Sequence, residues 1–129
     1  DCILWAHPTF PFMDQHIFSE FIDDYIEQGM PDDGSVTSRL LKEYLFDNNG
    51  PINFDNNDSQ ITRKNLKDIY MITNAAYIAK CGCIKKRNRV FGLQPKFFDT
   101  PWLASLEISK SEDIDMFSDL IYKYFKDQL

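Results

Sequence analysis

Long hydrophobic runs are missing from this chain of 129 residues. None approaches the ~20 apolar residues a bilayer-crossing helix needs, so a membrane-spanning helix is excluded. Cysteine is scarce as well. The three that occur are an odd number, and Cys81 and Cys83 stand one residue apart, so they do not form a disulfide framework. A reducing, intracellular setting is expected. Signal-peptide character is lacking, since Cys2 to Ala6 is too short for an apolar h-region. With Asp1 rather than Met at the start, the chain reads as a module of a longer protein. The phosphate-cradling glycine loop, the His-Glu-x-x-His zinc motif and the nucleophile elbow are all absent. Positive charge is nearly missing from the N-terminal stretch. Residues 1–59 carry two cations, Arg39 and Lys42, against twelve acids, a net of −10, whereas residues 60–129 carry twelve cations against eight acids, a net of +4. The overall −6 hides this asymmetry, which bears on partners rather than on fold.

Aromatic residues are plentiful. Eleven Phe, six Tyr and two Trp supply the apolar bulk for one well-packed domain spanning 1–129, with an acidic half (residues 1–59) and a basic half (residues 60–129). Pro8 and Pro11 keep the first stretch extended. Asp14 stands as an N-cap before Ile17, Phe18, Phe21, Ile22, Tyr25 and Ile26, whose spacing traces a helical face that Gly29 and Pro31 end. A second helix, capped by Ser35 or Thr37, is expected to turn Leu40, Leu41, Tyr44 and Leu45 inward and to fail at Asp47–Pro51. Asn53 to Gln60 reads as a long surface loop. Thr62 caps an expected third helix through Leu66, Ile69, Tyr70, Thr73, Ala76 and Tyr77, ended by Gly82. Residues 83–93 read as a hairpin tipped by Lys85, Lys86, Arg87 and Arg89. Thr100 and Pro101 open a short helix. A last helix from Ser111 to about Gln128 turns Ile114, Phe117, Leu120, Ile121, Tyr124 and Phe125 inward. The expected class is α+β, mainly helical, with about five helices and one or two short β-hairpins.

Chemistry is thin along this chain. Cys81 and Cys83 are too close for a zinc knuckle, even with Cys2, His7 and His16 nearby, and read as buried small hydrophobes. An EF-hand register from Asp55 places Asn57 and Ser59 well but puts Gln60 and Leu66 where glycine and the bidentate acid belong. Asn57-Asp58-Ser59 matches a glycosylation tripeptide without a secretory context. Asp23-Asp24 and Asp32-Asp33 read as solvated surface. No metal, cofactor, small-molecule ligand or enzymatic activity is expected. One alternative is a winged-helix-like nucleic-acid-binding module whose basic hairpin, Lys85–Arg89, touches phosphates, against the repulsion of a chain with a pI near 4.8. The other is protein recognition. Val36 lies off the apolar stripe of the expected second helix, and Arg39 is a lone guanidinium fork among acids. Arg39 serves either as an interface anchor beside an exposed Val36 or as a surface ion-pair partner of Asp32 or Asp33.

Three runs carry a resemblance: Asp1 to Phe10, Gly34-Ser-Val-Thr-Ser-Arg-Leu-Leu, and Ala79-Lys-Cys-Gly-Cys-Ile-Lys-Lys-Arg-Asn-Arg-Val-Phe-Gly-Leu. Together they resemble the origin-recognition-complex-interacting region of the silent information regulator proteins of budding yeast, over all 129 residues. The resemblance implies a non-enzymatic adaptor of transcriptional silencing in the nucleus. Such a module binds the bromo-adjacent homology domain of the origin recognition complex's largest subunit at silencers. It also implies a link to the fourth silent information regulator protein, and DNA contact only through partners. The binding surface it implies falls on Val36, Thr37 and Arg39, with Gly50 and Pro51 nearby. On that reading, Val36→Asp abolishes binding without unfolding the domain.

Overall fold

The computed structural model describes residues 1–55 and 61–128. It divides the chain into two compact units, Asp1–Arg39 with Ile72–Leu129, and Leu40–Met71. Strands β2 (Ser35–Leu41) and β5 (Ile69–Lys80) both contain a division point, so the units do not follow the acidic and basic halves of the sequence.

In the larger unit, β1 (Cys2–Ala6) leads to α1 (Gln15–Glu27). Asp14 caps α1 as expected: its carboxylate accepts the Ile17 amide at 2.9 Å, one of the donors a helix start leaves unpaired. Ile17, Phe21 and Tyr25, spaced four apart, are buried on one face. The helix closes in a Schellman arrangement. Gly29 and Met30 take left-handed φ values of 79° and 52°, the Gly29 amide donates to Ile26 O, and the Met30 amide donates to Tyr25 O, both at 3.0 Å.

The sheet runs in the order β1-β5-β2-β6, where β6 is Lys96–Asp99. β1 is antiparallel to β5 and β6 is parallel to β2, so the sheet is mixed. Phe10, Met13 and the inner face of α1 pack with Ala75, Ala76, Ile78 and Ala104, and Phe21 meets Phe98 at 5.3 Å between ring centres. α2 (Cys81–Arg87) follows β5 directly, and α3 (Ser111–Phe125) ends the chain. Asp113 accepts the amides of Ser109 and Lys110 at 2.8 Å to start α3.

The expectation of about five helices is overturned. Three α-helices and two short 3-10 turns, Arg63–Asn65 and Trp102–Ser105, stand among the described residues beside a four-stranded sheet. The expected second helix is β2. Ser35 and Thr37, expected as helix caps, bond across the sheet instead: Ser35 Oγ donates to Lys96 O and Thr37 Oγ1 to Ala76 O, both at 3.2 Å, and Ser38 Oγ likewise donates to Phe98 O at 3.1 Å. The expected third helix is β5. Its stretch Ala75–Ala79 is buried on both faces, as befits an interior strand, and a 3.6-residue period cannot describe it. The charged hairpin is also corrected, because Cys81–Arg87 is helical and Asn88 ends it at φ 56° with its amide on Ile84 O at 2.8 Å. The helix expected after Pro101 shrinks to the 3-10 turn. α3 begins where expected, but its inward stripe is looser: Phe117, Ile121, Tyr124 and Phe125 are half-buried, while Ile114 and Leu120 are exposed.

The smaller unit has a two-stranded ribbon, β3 (Phe46–Asp47) against β4 (Gly50–Pro51). The fully buried Asn53 side chain organises it. Its Oδ1 accepts the Leu45 amide at 3.0 Å and its Nδ2 donates to Glu43 O at 2.7 Å. Of the long loop expected at Asn53–Gln60, residues 56–60 lie outside the described residues, as do the glycosylation tripeptide at 57–59 and positions 56–60 of the EF-hand register.

Candidate protein-recognition surface

Val36 and Thr37 sit in β2, and neither is at the surface. Val36 is 0% exposed, so the expectation of an exposed apolar group is corrected: successive side chains of a strand alternate faces, and the consecutive burial of Ser35 to Ser38 means that both faces of β2 are covered there. Thr37 is equally buried, and its hydroxyl has a structural task. Asn74 takes a left-handed φ of 63° inside β5, a local bulge that pulls the backbone out of regular pairing. Thr37 Oγ1 accepts the Ala76 amide at 3.0 Å and the Thr73 hydroxyl at 2.8 Å, and donates to Ala76 O at 3.2 Å. The side chain thereby satisfies backbone groups that the bulge displaces.

Arg39 ends the first segment of the larger unit half-buried, and no ion pair engages its guanidinium among the described residues. Both of its expected acidic partners are engaged elsewhere. Asp32 pairs with Lys80 at 2.8 Å, and this hydrogen bond and charge hold its carboxyl below the usual carboxylate range. Asp33 accepts the Gln94 amide at 2.9 Å. Asp32-Asp33 is therefore a structural pair rather than idle surface charge.

Gly50 and Pro51 form β4 in the smaller unit, half-buried, opposite Asp47 and Phe46. Asp47 Oδ1 accepts the Asn49 amide at 2.7 Å, an Asx turn that closes the ribbon. This ribbon carries an aromatic row. Phe54 meets Tyr44 at 5.4 Å and Phe46 at 5.3 Å, both edge-to-face. Phe46 is 63% exposed, and Tyr44 and Ile52 are exposed too. Acids stand beside it in the chain at Glu43, Asp47 and Asp55, with Glu43 paired to Arg63. The sequence reading places Tyr44 inward and passes over Phe46, Ile52 and Phe54. A signal was present: apolar residues flank the turn formers Asn48-Asn49-Gly50-Pro51, the mark of a hairpin.

The basic run is only partly free. Arg87 is tied to three carbonyls, with Nη1 on Asp32 O at 2.5 Å, Nη2 on Val90 O at 2.7 Å and Nε on Arg89 O at 3.0 Å. Lys85, Lys86 and Arg89 are exposed. Lys86 and Arg87 line a 360 Å³ cleft with Asp32, Asp33 and Cys83, so the field there is mixed. Cys81 and Cys83 are half-buried at the start of α2 rather than the buried hydrophobes expected, and Cys2 is exposed. No three His, Cys, Asp or Glu side chains converge on a metal-sized site among the described residues.

Neither a protein-family model nor a curated protein matches the chain. Chemistry has to be read from the geometry alone. Of the residues assigned to recognition, the structure groups Val36 with Thr37 in the sheet interior, and Gly50 with Pro51 in the ribbon of the other unit. Arg39, Gly50 and Pro51 are all half-buried, and Phe46 is the most exposed large apolar group of the ribbon.

Proposed function

We propose that the chain is a non-enzymatic protein-protein adaptor of transcriptional silencing. It binds the bromo-adjacent homology domain of the origin recognition complex's largest subunit and helps to recruit silencing proteins, the fourth silent information regulator among them, to silencers in the nucleus. The observation that carries protein recognition is the exposed aromatic ribbon. Phe46 at 63% exposure, beside exposed Tyr44 and Ile52, is a concentration of large apolar groups that costs solubility unless another surface covers it. The acids beside it in the chain favour a basic partner face, and Arg39, without an ion pair among the described residues, supports a directed, charge-assisted bond to a carboxylate or carbonyl. The partner's identity rests on the sequence resemblance.

Calorimetric titration of the purified bromo-adjacent domain into the chain tests this reading. Wild-type binding is expected, weakened at least about tenfold by Phe46→Ser, with circular dichroism unchanged because Phe46 is exposed. No binding by the wild type sinks the partner. Full binding by Phe46→Ser sinks the surface.

A further inference from the structure

The four-stranded sheet has two edges, and they are treated differently. β6 carries Lys96 and Asp99, charges of the kind that discourage edge pairing. β1 has no charge and no proline between Cys2 and Ala6, and all five residues are exposed, with Ile3 at 43% and Trp5 at 52%. Its hydrogen-bonding parity follows from its ends. Asp1 O accepts the Cys81 amide at 2.9 Å, and the His7 amide donates to Ala75 O at 3.0 Å. With Cys2 to Ala6 registered against Lys80 to Ala76, the odd-numbered residues turn their N–H and C=O groups to β5. Cys2, Leu4 and Ala6 turn theirs outward, where no described residue meets them.

We propose that β1 is a self-association edge, on which the β1 of a second copy pairs antiparallel about a two-fold axis at Leu4. The strand is complementary to itself in that register. Leu4 meets its own counterpart and Cys2 meets Ala6, and these are the residues whose backbone groups point outward, so about six new hydrogen bonds form. Ile3 then faces Trp5 at the non-hydrogen-bonded positions, where side chains approach most closely. A β-branched residue against an aromatic is a favourable cross-strand pair, and it occurs twice by symmetry. Centring the pair on Ile3 or Trp5 instead leaves some of the five-residue strand unmatched. One step beyond the strand, Asp1 falls opposite His7, so the register sets no like charges against each other. The joined sheets form one continuous eight-stranded sheet. A contact this short lies at the low end of interface sizes, so the dimer is weak and reversible.

Sedimentation equilibrium of the chain from about 10 µM to about 1 mM, the range suited to a small interface, tests the proposal. A monomer–dimer equilibrium is expected. Ile3→Lys with Trp5→Lys, and separately Ile3→Glu with Trp5→Glu, set like charges opposite each other and each weaken the dimer roughly tenfold or more. Mixing these two folded variants restores association, because each substituted strand now meets the opposite charge. Circular dichroism confirms that both variants keep their fold. A wild-type monomer throughout overturns the proposal and leaves the edge to an extended segment of another protein. A dimer that survives in both charged variants, or a mixture that stays monomeric, overturns it equally.

Discussion

Val36→Asp separates a folding effect from a binding effect, and the structure predicts folding. Val36 is 0% exposed in β2, between equally buried Ser35 and Thr37. Losing its side chain forfeits about 1.5–3 kcal/mol of apolar burial. The incoming carboxylate is cut off from solvent at a 0% exposed position, and its cheapest response is to take a proton. From an ordinary aspartate value near 3.9, neutralisation at pH 7 costs about 4 kcal/mol, at 1.36 kcal/mol per unit. The two terms sum to roughly 6 kcal/mol, within the whole stability range of an ordinary domain. The buried acid has its folded pKa raised above the unfolded value. The penalty therefore shrinks as pH falls, by about 1.4 kcal/mol per unit down to about pH 4. Urea denaturation followed by circular dichroism, at pH 7 and pH 5, reads both the loss and its relief. A wild-type midpoint at pH 7 refutes the reasoning and returns Val36 to the interface. Loss of partner binding by an unfolded Val36→Asp chain says nothing about recognition.

Arg39→Ala is the contrasting case: half-buried and without an ion pair among the described residues, it is expected to shift stability by no more than about 0.5 kcal/mol, read by urea, while weakening partner binding. Asp14→Ala removes both the Ile17 cap and the acceptor of the Tyr124 hydroxyl at 2.7 Å, for a loss of about 2–3 kcal/mol. Burial pushes the Asp14 carboxyl up, but hydrogen bonds from the Ile17 amide, the Tyr124 hydroxyl and the His16 amide leave it below its ordinary value. Its contribution is thus present above about pH 4 and is lost as pH falls through the lower folded pKa, a dependence that Asp14→Ala should lack. Thr37→Val keeps shape but strands the buried Ala76 amide and the Thr73 hydroxyl, so the urea midpoint should fall by about 2–4 kcal/mol equivalent.

What could be read from the sequence was local. α1 is announced by a cap, a four-residue repeat of core positions and a left-handed exit, all between Asp14 and Met30 and needing no distant partner. β2 and β5 misled because their meaning is set by neighbours. Ser35, Thr37 and Ser38 have the chemistry of helix caps when read alone, and become interior strand residues only because Lys96, Phe98 and Ala76 offer carbonyls across the sheet. Leading into and along β5, Leu66, Ile69, Thr73 and Tyr77 mimic a helical repeat, yet the strand buries five consecutive residues between β1 and β2. α2 misled differently. Its basic run looks like a hairpin tip between Ile84 and Val90, and Arg87 reaches back fifty-five residues to the Asp32 carbonyl to fasten the helix end. The site inherited these errors. Val36 looked exposed only against the stripe of a helix that is a strand.

The charge asymmetry follows the same logic. A net of −10 beside +4 along the chain suggests two opposed fields, but folding pairs one half with the other. Lys80 of the basic half meets Asp32, Arg63 meets Glu43 and Lys67 meets Asp55 at 3.8 Å, while Lys42 of the acidic half meets Asp68. Asp14 and Asp33 are committed to backbone amides. Acids without an ion pair among the described residues include Asp23 and Glu27 on α1, and at the exposed positions of one helix they are screened within about 8–10 Å at ordinary ionic strength. Long-range attraction is therefore a weak guide to where a partner lands. On the proposed reading, short-range features count for more: a guanidinium without an ion pair among the described residues, and a row of aromatic rings led by Phe46 at 63% exposure. Each is worth most once water is excluded, which is the condition a docked protein surface supplies and a charge tally along the sequence does not reveal.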